Sequence, residues 1–223
     1  MAKSLYNVGA VLPAAGIGIR FGEKKQFKRL ANKPLFLYAL NTFLKCRQIA
    51  EIVIVTNNED VENIYKETEL LKTKKSIKII AGGKRRQDSV MNGCLALSES
   101  IEFVTIHDIV RPFVTNDLIL STISGCNDND GCIAALLSND TVKEVQNLNI
   151  IRTVDRDKIW LAQTPQTFKK KVLLDAMTNH NATDEASMVE AAGGLVTVTE
   201  GSIMNFKITT IDDWKLAEKV IYG

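Results

Sequence analysis

A chain of 223 residues with 45% hydrophobic content can bury one substantial core, and nothing in its length forces a second domain, so residues 1–223 are expected to form a single domain. The 28 Lys and Arg against 26 Asp and Glu leave a formal charge of +2, too small to suggest general binding to nucleic acid or a membrane surface. No apolar run reaches the roughly 20 residues of a bilayer span, and Met1 to Asn7 carries no signal-peptide core, so a cytoplasmic location is expected.

Short apolar runs alternate with longer helical patterns, the rhythm of βαβ units around a largely parallel sheet. Val8 to Leu12 reads as a strand and Leu35 to Leu44 as a helix. The β-branched run from Glu51 to Thr56 is a second strand, followed by a helix over Asn58 to Leu71 with Asn58 as N-cap. Ile77 to Ile80 (strand), Ser89 to Leu97 (helix), Ile101 to Ile106 (strand), Asn116 to Ser124 (helix) and Cys132 to Leu137 (buried strand) continue the pattern. It breaks at about 138–158. Thr141 to Gln146, a turn at Asn147-Leu148-Asn149, and Ile150 to Val154 predict a β-hairpin inserted into the α/β domain. A polar two-stranded ribbon is marginal alone, so it must pack on something, with a partner subunit as one candidate. A short segment at Trp160 to Phe168, helices at Lys170 to Met177 and Asp184 to Ala192, strands at Val196 to Thr199 and Asn205 to Thr209, and a helix from about Asp212 complete the chain.

The most informative stretch is Val11-Leu12-Pro13-Ala14-Ala15-Gly16-Ile17-Gly18-Ile19-Arg20, closed by Lys24-Lys25-Gln26-Phe27. It reads as a strand running into a small-residue loop that ends in cations, a favourable phosphate site. A Walker loop would need Gly-x-x-x-x-Gly-Lys-Ser/Thr, which is missing. A dinucleotide fingerprint would need a third Gly where Phe21 stands and an acid about 20 residues on. Between Glu23 and Glu51 there is no Asp or Glu, only cations such as Lys28, Arg29 and Lys33. That asymmetry favours a triphosphate over a nicotinamide cofactor; a plain turn with a solvated basic face is the alternative.

Ala81-Gly82-Gly83-Lys84-Arg85-Arg86-Gln87-Asp88-Ser89 also follows a strand and precedes a helix, at the sheet edge where open α/β folds bind ligands. Gly82-Gly83 and the Ser89 hydroxyl suit a base edge, although an ordinary loop capped by Asp88 has the same composition. Asp108, just after a strand, suits Mg²⁺ held by one carboxylate and substrate phosphates. His107 reads as a structural hydrogen-bonder and His180 as exposed. Thr141, Arg156, Thr164 and Lys207 are further candidates, each with a plain structural alternative; Lys207 sits in an apolar run where its charge must reach solvent or an anion. Cys46, Cys94, Cys126 and Cys132 form no Cys-x-x-Cys pair and no zinc pattern, and read as buried reduced thiols.

Taken together, these residues resemble the 2-C-methyl-D-erythritol 4-phosphate cytidylyltransferases of isoprenoid precursor synthesis. The resemblance runs in order through Pro13-Ala14-Ala15-Gly16, Gly82-Gly83 with Arg86-Gln87-Asp88-Ser89-Val90, His107-Asp108 with Arg111-Pro112, Asp140-Thr141-Val142-Lys143, Thr153-Val154-Asp155-Arg156, Thr164-Pro165-Gln166, Thr183-Asp184-Glu185-Ala186-Ser187 and Asn205-Phe206-Lys207-Ile208-Thr209. It implies a Rossmann-like nucleotidyltransferase fold, α/β with a mostly parallel central sheet, and a homodimer whose protruding β-hairpin arms cross to the neighbouring subunit. It also implies CTP and a sugar-alcohol phosphate as substrates, with Mg²⁺. By the same match Ala14, Ala15, Gly16, Gly83 and Ser89 contact CTP, Asp108 holds the metal, and Arg20 and Lys25 stabilise the transition state. Thr141 and Arg156 from the arm, with Asp108, Arg111, Thr164, Thr183 and Lys207, match the acceptor side, where Arg156 and Lys207 are also catalytic candidates.

Two departures stand out. Lys24-Lys25-Gln26 replaces the family's usual Pro-Lys-Gln, and Ile109-Val110 replaces a smaller pair near the acceptor. His107-Asp108-x-Val110-Arg111-Pro112-Phe113 and Gln163-Thr164-Pro165-Gln166-Thr167-Phe168 also look like the related ribitol 5-phosphate cytidylyltransferases, while Thr153 to Arg156 and Thr183 to Ser187 look like the methylerythritol enzymes. A non-catalytic nucleotide-binding module is a third reading, against which stand Arg20, Lys25 and Asp108.

Overall fold

A computed structural model describes residues 7–18, 20–179, 182 and 184–223, so the candidates His180 and Thr183 lie outside the described residues. The chain begins with β1 (Val8–Pro13), a short hairpin of β2 (Arg29–Leu30) and β3 (Lys33–Pro34), α1 (Phe36–Lys45) and β4 (Ile49–Thr56). Next come α2 (Val61–Glu69), β5 (Ser76–Ala81), α3 (Arg86–Ala96), β6 (Phe103–Ile106), α4 (Asn116–Gly125) and β7 (Gly131–Leu137). The arm is β8 (Lys143–Gln146) and β9 (Asn149–Thr153), after which β10 (Trp160–Lys169), α5 (Lys170–Asn179), α6 (Glu185–Ala191), β11 (Val196–Glu200) and α7 (Ile211–Tyr222) follow.

Seven strands make one sheet in the order β11-β7-β10-β6-β1-β4-β5. Every neighbouring pair is parallel except those of β10, which runs antiparallel to β6 and β7. The central strands β1, β4 and β6 are largely apolar because both faces are covered. Ala10, Leu12, Ile52 and Ile54 face one layer with Phe36, Leu40 and Phe43 of α1. Val11, Val53 and Val55 face the other, with Val90 and Cys94 of α3 and Leu173 of α5. A smaller cluster of Leu30, Leu35, Ile208, Trp214 and Ala217, with Phe21 against it, sits beside the first loop. All four cysteines are buried and free, as expected.

Three expectations need correction. Asn205 to Thr209 is no strand: a 3₁₀ turn at Ile203–Asn205 leads into an extended run whose Ile208 N–H donates to Val110 O at 3.0 Å, so it packs across the β6 loop. Asn58 opens a 3₁₀ turn, Asn58–Asp60, and α2 starts only at Val61 without a side-chain cap. The Trp160 to Phe168 segment is a full sheet strand that accommodates Pro165 at a register shift between Ala162 and Gln166.

The arm turns through Asn147 and Leu148, both at positive φ, and Gln146 pairs with Asn149, the geometry of a two-residue hairpin loop. Every residue of β8 and β9 is exposed. Among the described residues no helix is long and apolar enough to cross a membrane.

Gly93 lets α3 lie flat on the sheet, since a Cβ there would stand 2.5 Å from Val11 Cγ1 and 2.9 Å from Val55 Cγ2. Gly93→Ala is expected to cost about 1–3 kcal/mol through overpacking, measured by urea denaturation; an unchanged midpoint would show that the layers yield freely.

Candidate active site

Because β1, β4, β5 and β6 are parallel, their carboxyl ends and the loops that follow open on one edge of the sheet. There the loops enclose a cavity of about 520 Å³. Its walls are Pro13 to Gly18 with Arg20, Lys25 and Gln26 after β1, Asn57 after β4, Gly83 to Arg86 and Ser89 after β5, Asp108 to Val110 after β6, and Lys207.

The first loop is held from within. Gln26, buried at 2% exposure, donates from Nε2 to the carbonyls of Ala14 and Gly16, each at 2.9 Å. Gly18 closes the loop at φ +73, accepting from the N–H groups of Phe21 and Gly22; a Cβ there would meet Glu23 O at 1.8 Å. Gly16 has open space where a side chain would be, which leaves the backbone accessible. Among the described residues neither Arg20 nor Lys25 forms an ion pair with a carboxylate. Burial, and then the charges of Lys207 and Arg20, push the Lys25 ammonium below its ordinary pKa. A cluster of cations with few internal counter-charges attracts anions.

The second loop orders itself. Ser89 is buried; its hydroxyl accepts from Gly83 N–H at 3.1 Å and donates to Arg85 O at 3.2 Å. Asp88 accepts from Arg85 N–H at 3.1 Å and pairs with the Arg85 guanidinium at 2.6 Å, which starts α3 at the cavity rim.

The third wall is a chain of alternating charges. Glu185, 0% exposed, accepts from Arg86 Nη1 at 2.6 and 2.9 Å. Arg86 reaches Asp108 Oδ1 with Nε and Nη2 at 3.3 and 3.2 Å, and Lys207 Nζ donates to Asp108 Oδ2 at 2.7 Å. Burial works against an ionised Asp108, but Arg86 and Lys207 outweigh it and hold the carboxyl well below the usual range. Among the described residues no three His, Cys, Asp or Glu side chains group as a metal cage, so any cation here would take Asp108 as one ligand and need others from substrate and water.

Behind Asp108 the scaffold is neutral side chains and backbone together with the Arg111 guanidinium. Asp108 N–H donates to Thr164 Oγ1 at 3.0 Å, and Thr164 lies 3.2 Å from His107 Nδ1. His107 Nε2 stands 3.1 Å from Arg111 O, which can only accept, so Nε2 carries the proton and Nδ1 accepts from Thr164. Arg111 Nη1 donates to Asn205 O at 2.8 Å, and Asn205 Nδ2 donates to Thr164 O at 2.8 Å. These bonds brace the Asp108 turn from behind.

Thus Ala14, Ala15, Gly16, Arg20, Lys25, Gly83, Ser89, Asp108 and Lys207 converge on one cavity. Arg111 and Thr164 lie behind Asp108, whereas Thr141 and Arg156 sit exposed on the arm, Arg156 donating to Asn139 O at 2.8 Å. Ile109 and Val110 both line the wall, and Ile109 is 1% exposed because it also fills the core. The sequence reading missed Arg86 and Glu185 as a pair, although both lie in motifs it singled out. It also missed Gln26 and Asn57; nothing in the composition around Asn57 marks it.

Burial pushes His107 down to about 4, so it is neutral at pH 7. Its unfolded form binds more protons between pH 6.5 and 4, so this contribution to stability is complete above 6.5 and is lost as pH falls toward 4. The expected contribution is about 3 kcal/mol. Urea denaturation across that window should show His107→Gln losing less stability than wild type; parallel curves would refute the neutral buried imidazole.

Residues 8–222 match the family described as 2-C-methyl-D-erythritol 4-phosphate cytidylyltransferase. The chain is 38% identical over 219 residues to a protein of that name from Clostridium botulinum (strain Loch Maree / Type A3), covering 95% of this chain and 96% of the relative. It is 40% identical over 224 residues to one from Syntrophus aciditrophicus (strain SB), covering 95% and 94%. The solved structure of 4-diphosphocytidyl-2C-methyl-D-erythritol synthase from Anaerococcus prevotii DSM 20548 superposes with a TM-score of 0.88 at 29% identity, over 98% of this chain and 97% of that one. Matched in sequence and in fold over nearly its whole length, the chain belongs to the 2-C-methyl-D-erythritol 4-phosphate cytidylyltransferase family.

Proposed function

We infer that this enzyme transfers CMP from CTP to 2-C-methyl-D-erythritol 4-phosphate, releasing pyrophosphate and 4-diphosphocytidyl-2-C-methyl-D-erythritol. The observation that carries the reading is the cavity lined at once by Arg20 and Lys25, neither in an ion pair with a carboxylate among the described residues, and by the ionised Asp108. An acceptor phosphate oxygen attacks the α-phosphorus in line, forming the new O–P bond as the bond to the pyrophosphate oxygen breaks. The nucleophile is already an anion, so no proton need be removed, which suits a neutral, buried His107.

Both reactants are polyanions, and bringing them together is the main obstacle. Arg20 offers a planar fork to phosphate oxygens and Lys25 a compact charge. Ala14, Ala15 and Gly16 present backbone to the triphosphate, and Gly83 with Ser89 shapes the base edge, Ser89 through its bonds within the loop. Lys207, with Arg111 and Thr183, serves the acceptor phosphate, and Thr164 sets the Asp108 turn. Asp108 fits Mg²⁺ as a single carboxylate ligand, since it is ionised and borders the cavity; Lys207 shares it and would shift to admit the ion. Bound there, Mg²⁺ would supply charge neutralisation for the phosphates.

Thr141 and Arg156 do not border this chain's cavity. They fit the reading when the arm crosses to a second copy. The arm's exposed Val145, Leu148, Ile150 and Ile151 support such a homodimer, as do Trp160 and Leu161 near its base. The substrates are water-soluble anions, which suits the expected cytoplasmic location.

Pyrophosphate release measured with CTP and either 2-C-methyl-D-erythritol 4-phosphate or ribitol 5-phosphate is expected to occur with the former; turnover with ribitol 5-phosphate alone overturns the assignment. Lys25→Ala is expected to lower kcat by roughly 10²-fold or more, the scale of removing one charge-stabilising donor, and near wild-type turnover would remove Lys25 from the mechanism.

A further inference from the structure

Lys24 stands beside Lys25 in sequence, but Lys25 lines the cavity whereas Lys24 pairs with the acids of the 57–60 turn. Its ammonium donates to both oxygens of Asp60, at 3.0 and 2.8 Å, and to Glu59. Asp60 is 8% exposed and its Oδ2 also accepts from Nδ2 of Asn57 at 3.2 Å, while Asn57 lines the cavity. One carboxylate therefore joins the loop after β1 to the 57–60 turn between β4 and α2. On the other flank of Lys25, Gln26 grips the carbonyls of Ala14 and Gly16. Lys25 thus lies between two anchors, one residue from each.

We propose that Lys24 is a positioning residue for nucleotide binding: its ion pair with Asp60, seconded by Glu59, ties the cation-bearing loop to the 57–60 turn and holds Lys25 in the cavity. The proposal rests on reading the cavity as the CTP site. Without the two acids, Lys24 would be a second cation for the triphosphate to draw inward, and the loop would have several ways to meet its ligand. With them, Lys24 is committed to the 57–60 turn and the loop keeps one conformation. A partly exposed ion pair adds little to global stability. A displaced catalytic cation, in contrast, costs up to about 10²-fold in rate. The effect of the latch therefore belongs in binding and turnover rather than in melting.

The test compares Lys24→Ala, Asp60→Asn, the double variant and Lys24→Arg by calorimetric CTP binding, KM, kcat and melting temperature, with Lys25→Ala as a control on the site itself. Lys24→Ala and Asp60→Asn are each expected to weaken CTP binding by about 10-fold and to leave the acceptor KM unchanged. The double variant should be no worse than either single one, because both break the same pair. Lys24→Arg should stay near wild type and all melting temperatures should move little. Wild-type CTP affinity in Lys24→Ala, multiplied losses in the double variant, or losses that track melting temperature each overturn the latch. If Lys25→Ala binds and turns over CTP like wild type, Lys25 leaves the mechanism and the latch has nothing to position; if the wild-type protein binds no CTP, the nucleotide reading of the cavity itself falls.

Discussion

β1 is hydrogen-bonded to β4 on one side and β6 on the other, and helices cover both faces of all three strands. Strands buried in this way have no free face on which to carry polar groups. Their chemistry is confined to the ends, and because they are parallel the ends that matter share one edge. The cavity, the small-residue loop, the start of α3 and the Asp108 turn all follow from that constraint.

At that edge the protein manages charge in two ways. Asp108 and Glu185 are buried acids, each matched by a cation, so that the wall from Glu185 through Arg86 and Asp108 to Lys207 alternates in sign. Breaking such a buried series by removing one member is far costlier than its net contribution to stability suggests, because an unpaired charge is left behind. Arg20 and Lys25 are handled differently: Gln26, Gly18 and the Lys24 ion pair shape their loop while neither cation forms an ion pair with a carboxylate among the described residues. The first arrangement orders the floor of the site, and the second keeps attraction in reserve for an anionic ligand.

Much of this was legible before any coordinates. The strands β1, β4, β6 and β7 announce themselves as β-branched or continuous apolar runs, because burial on both faces demands them, and β5, an edge strand, as a short β-branched run. The arm's turn at Asn147-Leu148 was legible from its polar flanks, although the strands pair one residue tighter than the pattern suggested. Asn205 to Thr209 has strand-like alternation but no neighbouring strand edge to join, so it lies extended across the Asp108 loop. β10 was hidden because Pro165 interrupts its pattern, and only its neighbours β6 and β7 supply the ladder that makes it a strand.

Local sequence determined most of the strands and helices, which loop is small and basic, and, through its ordered motifs, the family to which the chain belongs. These are properties of periodicity, steric size and charge, and they act over a few residues at a time. Only the tertiary structure decided that Arg86 meets Glu185, 99 positions away, that Lys207 meets Asp108 at an equal separation, and that Lys24 pairs with Asp60 while Lys25 lines the cavity. Spacing along the chain cannot reveal such pairings, because they are set by which strand ends and loops the sheet order brings together.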